Sequence, residues 1–281
     1  MSPKAWQRQI REAKANTYGA YGESSTSLKT AVVRECPHSI AKQIILEYEW
    51  LGTMVSAKFY AGIFFDGWKC GGALAFCVGG GGAGVNMHRL FGLQRHDIAY
   101  LARGACTYWT PVGTASKLIA HGLRIAKRRG LKLAVAYADT DAGEIGTVYQ
   151  ATNWTCIGKG ESIRQMVHPK TGRTYDKKLS WDLANRTDMK ITRAQARRKL
   201  FDAGFTEQNS NPKWRYIYIL ADGKEGEAIH RRIAHLVVPY PKRVKDSSEP
   251  PADLAGKGGA TPTHTLHNQQ VNVLNQQLSD A

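Results

Sequence analysis

Residues 107–130 read TYWTPVGTASKLIAHGLRIAKRRG, and this stretch decides the fold class. It lies between two apolar runs, IAYLARGAC before it and LKLAVAYAD after it. Pro111 and Gly113 interrupt the first run. Ala115, Leu118, Ile119, Gly122 and Ala126 then recur at helical spacing and give a helix one apolar face. Lys127, Arg128 and Arg129 fall in the last turn, where they complement the negative end of the helix dipole, and Gly130 ends the helix. The run that follows is apolar without alternation, as expected of a strand buried on both faces. Strand, helix and strand with a short return predict a right-handed βαβ unit with two parallel strands.

Upstream, PHSIAKQIILEYEWLG (37–52) has Pro at its start and Gly at its end and predicts a helix. AKFYAGIFFDG (57–67) and CGGALAFCVGG (70–80) predict an antiparallel pair. GGGGAG (79–84) lacks the Lys-Ser/Thr of a nucleotide-binding loop and reads as a mobile connection. Downstream, AGEIGTVYQATNW (142–154) predicts a short helix with Ile145, Val148, Tyr149 and Thr152 on one face, and TCIGKG (155–160) opens a strand. A hairpin turning at HPKTGR (168–173) follows. TRAQARRKLFDAGF (192–205) carries the capping box Thr192 and Gln195. WRYIYIL (214–220) is a strand, and EGEAIHRRIAH (225–235) is a basic helix.

The 281 residues carry a net charge of +16, and the excess is uneven. Residues 1–245 hold 38 basic against 19 acidic side chains, whereas residues 246–281 hold one against four. Such a basic folded part calls for a polyanionic partner, nucleic acid first. No run approaches 18 consecutive apolar residues, which argues against a membrane. The five cysteines are odd in number and widely spaced, with no secretory signal ahead of them, so they read as reduced thiols of a cytoplasmic protein.

The order of elements resembles the GNAT acyltransferase superfamily. YADTDAGEIGTVYQATNW (137–154), the HS at 38–39 and KWRYIYIL…RRIAHLVVPYPKR (213–243) resemble the Mom family of bacteriophage DNA modification proteins. The resemblance implies an α+β (mixed α/β) fold with a splayed central mixed sheet and a basic C-terminal α/β extension. It also implies carbamoylmethylation of the exocyclic amine of adenine in DNA, which protects that DNA from restriction. The expected layout is a basic arm over 1–30, a GNAT-like catalytic domain over 31–185, a DNA-contacting extension over 186–245 and a disordered tail over 246–281. Two other readings stay open: a conventional acetyl-coenzyme A N-acetyltransferase, and a DNA-binding protein without catalysis.

The candidate catalytic residues are Tyr149 as proton donor, Asp139 at the C-terminal end of a buried strand, and His38 at a helix start. Arg103, Gly113, Thr114 and Ser116 are candidate donor contacts around the helix N-terminus, where free N–H groups favour an anion. TPVGTAS lacks the Arg/Gln-x-x-Gly-x-Gly/Ala turn of coenzyme A enzymes. The donor is therefore expected to be a different activated group, glycine-derived or acyl, with coenzyme A thioester disfavoured. The family resemblance further implies iron, with His38 and Asp139 as its ligands. Arg193, Arg197, Arg198, Lys199, Arg215, Arg231 and Arg232 are the expected DNA phosphate contacts.

Overall fold

The computed structural model describes residues 26–79, 87–172, 174–175, 178–186 and 188–242. Most of the basic arm, the centre of the GGGGAG stretch, Arg243 and the acidic tail lie outside the described residues. In chain order the elements begin with β1 (Val32–Glu35), α1 (His38–Tyr48), β2 (Phe59–Phe65), β3 (Lys69–Val78), α2 (Met87–Phe91), β4 (Ile98–Cys106) and α3 (Thr114–Arg128). Next come β5 (Leu133–Ala138), α4 (Thr147–Gln150), β6 (Thr155–Lys159), β7 (Arg164–Val167), β8 (Thr174–Tyr175), α5 (Lys178–Ala184) and α6 (Arg193–Asp202). β9 (Thr206–Asn209), β10 (Trp214–Ile219) and α7 (Gly223–Ile233) complete the series.

The described residues form two units, one of 26–159 with 214–242 and one of 160–213. The larger holds a seven-stranded sheet in the order β1-β2-β3-β4-β5-β10-β6. Only β4 and β5 are parallel neighbours, as the βαβ pattern requires. Their pairing starts at Ile98 with Leu133 and stops at Leu101 with Ala136. Just beyond, the β3–β4 register shifts between Ala75 and Phe76, so that Ala102 is an extra residue in β4. Such a bulge bends a strand. From there β4 follows β3 to Cys106 while β5 runs on to Ala138, and the two parallel strands part.

One face of the sheet packs α3 through Leu118, Ile119, Leu123, Ile125 and Ala126 against Leu74, Phe76, Ala99, Leu101, Ala134 and Ala136. The alternate side chains face the other way. Phe64, Ala73, Ala75 and Ala105 pack under Ala41, Ile44 and Ile45 of α1, and Ile98, Leu133, Val135 and Ile217 pack under α2 and α7. Period-two alternation in the strands thus builds two cores on one sheet.

The domain boundary expected at Arg186 is corrected here. β10 does not belong to a separate basic extension; it is inserted between β5 and β6, antiparallel to both. The chain leaves the sheet after Lys159 and re-enters at Trp214, and the Gly160 N–H donates to the Lys213 carbonyl at 2.8 Å to close the excursion. Within residues 160–213, β8, β7 and β9 form a small antiparallel sheet, with Met166, Leu183, Ala196, Leu200 and Phe205 as its core. The expected hairpin is β7–β8, and the capping box at Thr192 and Gln195 starts α6 as expected. Strand β1, not foreseen in the sequence, forms the edge beside β2. The short helix is tighter than expected: α4 spans four residues, and Ile145 lies ahead of it.

Candidate active site

The parting of β4 and β5 gathers side chains from α1, β4 and the β5–α4 turn. Arg103 is the first β4 residue after the bulge. Its Nε donates to the Thr53 carbonyl at 3.1 Å, Nη1 to the Ala102 carbonyl at 2.7 Å and Nη2 to Thr53 Oγ1 at 3.3 Å. It also approaches Glu49 at 4.0 Å. Three of the five guanidinium N–H groups are thereby used by protein oxygens and its charge lies beside a carboxylate, which leaves N–H groups for the donor contact expected of it.

Glu49, which carries no sequence signal of its own, caps the end of α1 and accepts the N–H groups of Leu51 and Gly52 at 2.8 and 3.2 Å. Burial lifts its carboxyl above the usual range and repulsion from Glu144 adds to this; Arg103 and the Leu51 and Gly52 N–H groups pull the other way.

Tyr149 sits on α4 and packs against Trp154 and Tyr216, with ring centroids 5.2 and 5.3 Å away. Burial raises its phenol well above the ordinary value, and the charges of Glu144 and Glu49 raise it further. The phenol is therefore fully protonated at neutral pH and stands within electrostatic reach of two carboxylates. Its helix is held by a network. Gln150 Nε2 donates to the carbonyls of Ile145 and Pro241 and to the Tyr216 hydroxyl, and Tyr216 donates to the Ile145 carbonyl. Gly146, at φ 74°, starts α4 in a left-handed conformation, and a Cβ there would run into the Tyr216 ring. The C-terminal PYP stretch completes the clamp, since Tyr240 donates to the Trp154 carbonyl at 2.7 Å.

Asp139 ends β5 as expected, and its carboxylate accepts the Asp141 N–H at 3.1 Å. Its own N–H donates to Glu144 at 3.0 Å, so the pair shapes the turn leading to α4. His38 is the first residue of α1, exposed, with its ring 5.4 Å from that of Tyr60. Tyr60, Ala75 and Arg103 are successive cross-strand partners, which sets His38 and Tyr60 on the α1 face of the sheet. Among the described residues, no group of three or more His, Cys, Asp and Glu side chains is arranged to hold a metal ion. The residues expected to hold iron, His38 and Asp139, stand at the start of α1 and after the end of β5 with no group of three such donors among the described residues, and no step of the proposed reaction passes through iron.

At the start of α3, Gly113 is the left-handed N-cap at φ 89°. Thr114 is corrected: its side chain is buried and its hydroxyl donates back to the Pro111 carbonyl at 2.6 Å, so it serves the turn. Ser116 stands half-buried on the same first turn. The backbone N–H groups of Ala115 and Ser116 have no protein acceptor among the described residues, as expected of a helix N-terminus able to meet an anion.

The expected DNA contacts separate into two sets. Arg198 and Lys199 are exposed on α6, and neither side chain has a partner among the described residues. Arg193 reaches Ser180 at 3.5 Å, and Arg197 makes a two-pronged pair with Glu207 at 3.0 and 2.7 Å. In the larger unit Arg231 is exposed beside Glu227 at 3.9 Å, and Arg232 lies over Gly92. Arg215 does not join the exposed set. It faces inward from β10, with Nη2 donating to the Ile157 carbonyl at 3.1 Å and Nε buried without an acceptor. All five cysteines are free thiols. Burial pushes Cys36 and Cys106 up to about 12 and raises Cys70 and Cys77, which disfavours a thiolate nucleophile at these four.

Residues 30–242 match the Mom protein family, more than half of the chain. The chain belongs to the Mom protein family. No curated protein matches it. Similar solved structures include an IAA acetyltransferase from Bacillus cereus, at 12% identity and a TM-score of 0.37, covering 67% of this chain and 99% of that one. Another is a spermidine N-acetyltransferase from Vibrio cholerae in complex with CoA and spermine, at 8% identity and a TM-score of 0.37, covering 68% and 96%. At that level of likeness the sheet topology, rather than its neighbours, carries the fold. The family match takes in α1, the parting strands, α4 and the returning β10, and with them every residue of the site.

Proposed function

We propose that this Mom-family chain is a GNAT-like transferase that joins a small acyl or carbamoylmethyl-type group to the exocyclic amine of adenine in double-stranded DNA. The DNA so marked would resist restriction enzymes. One observation carries the reading: at the parting of β4 and β5 a phenol kept protonated by burial, Tyr149, feels the charge of the largely buried Glu49 carboxylate held beside Arg103.

The adenine amine is a weak nucleophile because its lone pair is conjugated with the ring. It must be taken out of the base stack, and it needs both a base and an activated donor. Glu49, made more basic by burial, accepts an amine proton as the nitrogen–carbon bond forms. The bond from that carbon to the leaving group breaks, and Tyr149 protonates the departing atom. Transfer of the proton from Glu49 back to Tyr149 resets the site. Arg103 holds Glu49 in place, and an anionic part of the donor lies at the free N–H groups that start α3. The donor is an activated acyl or glycine-derived group, and no step requires coenzyme A.

Mass spectrometry of nucleosides from cells expressing the chain tests this. The wild type is expected to yield modified deoxyadenosine, and Tyr149→Phe to lose most of it. Unmodified DNA from wild-type cells, together with acetylation of proteins or amines, would sink the proposal in favour of a conventional acetyltransferase.

A further inference from the structure

Eight large hydrophobic side chains are markedly exposed among the described residues, and four of them gather at one end of the central sheet. Val32 begins β1 opposite Phe64, near the end of β2. Trp68, 77% exposed, tops the β2–β3 turn. Tyr108 and Val112, 48% and 79% exposed, lie in the turn from β4 to α3. The turns abut: the Thr107 N–H donates to the Gly71 carbonyl at 2.9 Å, and a Cβ on Gly71 would strike Thr110. The Lys69 ammonium lies 4.0 Å above the Trp109 ring. Tyr108 also meets Tyr48 of α1, with ring centroids 6.3 Å apart, one residue from Glu49.

Exposed apolar patches of this kind mark interaction surfaces. We infer that this rim is a stacking platform for unpaired bases of the DNA strand opened for modification. The inference rests on the function proposed above. Three observations favour a nucleic acid strand over another apolar partner. The exposed groups include the flat rings of Trp68 and Tyr108, and the same rim carries the exposed cation Lys69, next to Trp68 in the chain; aromatic faces with positive charge nearby hold single strands without regard to sequence. The unit that carries them, residues 26–159 with 214–242, holds 20 basic against 11 acidic side chains. The rim also runs from β1 to β4, three strand spacings or about 14 Å, which is wider than a single stacked base. An adenine drawn toward Glu49 leaves an interrupted stack behind it, and Trp68 and Tyr108 cap the bases so exposed.

The test uses the full chain and fluorescein-labelled oligonucleotides, one single-stranded and one a duplex with a central unpaired adenine. Trp68→Ala with Tyr108→Ala is expected to weaken both complexes by about 5- to 150-fold for each base left unstacked, while Trp68→Phe with Tyr108→Phe retains most of the affinity. Free coenzyme A and ATP are expected to compete poorly with the oligonucleotide for the wild type. The inference is overturned if the alanine pair binds both oligonucleotides as the wild type does, or if mononucleotides displace them at similar concentration. It is equally overturned if the alanine pair changes only self-association in sedimentation. Continued adenine modification in cells alongside any of these results would leave the proposed function standing and remove the platform alone. A wild type that neither binds nor modifies DNA removes both.

Discussion

Gly146→Ala tests how the fold positions Tyr149. The residue has φ 74° and ψ 32°, and an alanine held there costs about 1–2 kcal/mol in backbone strain. Its new Cβ would also strike the Tyr216 ring, which is wholly buried, packed at a tilt between Tyr149 and Tyr240, and tied by its hydroxyl to Ile145. The ring cannot retreat, and overpacking of this sort costs about 1–3 kcal/mol. The sum, about 2–5 kcal/mol, should appear as a lower urea midpoint. Transfer activity should fall as well, because the Tyr149 and Gln150 N–H groups both bond to the Gly146 carbonyl. The two contributions separate in a double-mutant cycle with Tyr216→Leu, which removes the obstructing ring. In that background Gly146→Ala should cost only the backbone part, about 1–2 kcal/mol. Equal costs with and without the ring would refute the argument that Tyr216 is why glycine stands at 146.

Four further perturbations have definite outcomes. Glu49→Gln should abolish transfer while leaving the urea midpoint at pH 7 unchanged or higher. The carboxyl has a folded pKa above its unfolded value, so the fold binds a proton between the two and loses stability as pH rises through that window. A destabilised glutamine variant would contradict this sign. The transfer rate of the wild type should rise with pH through an apparent pKa above the ordinary carboxylate range as Glu49 ionises, and a profile flat across that range would exclude Glu49 as the base. Arg198→Ala with Lys199→Ala should reduce the slope of log affinity for duplex DNA against log salt by about 0.9 for each phosphate no longer neutralised. Arg197→Ala should change it less, since Glu207 already neutralises that charge; the reverse order would reassign the DNA face of α6.

Local patterns made the βαβ unit legible. The residues of α3 repeat every three or four positions, and β5 is apolar on both faces. The same holds for the capping box at Thr192 and Gln195, whose partners lie within one turn. What escaped the sequence depends on residues far apart in the chain. WRYIYIL identifies a strand, but nothing in its pattern says that it slots between β5 and β6. Arg215, read as a surface cation, is drawn inward by that placement. Glu49 looked like an ordinary helix end; its character comes from burial and from Arg103, fifty-four positions later in the chain. Thr114 had the right chemistry for a donor contact, and the turn itself consumed its hydroxyl.

The late return of β10 governs how the protein must be made. On the ribosome, β5 and β6 emerge first, but the strand that joins them follows only after residues 160–213. Until it arrives, the inner edge of β5 offers unpaired N–H and C=O groups from an apolar segment, a ready template for pairing with a neighbouring chain. The insert draws its own core, from Met166 to Phe205, from residues that emerge in this interval. During synthesis, completion of the large sheet, and with it the burial of Tyr216 beneath Tyr149, therefore has to wait for β10. A nascent chain stopped short of Ile219 would carry the parts of the active site without the strand that locks them together.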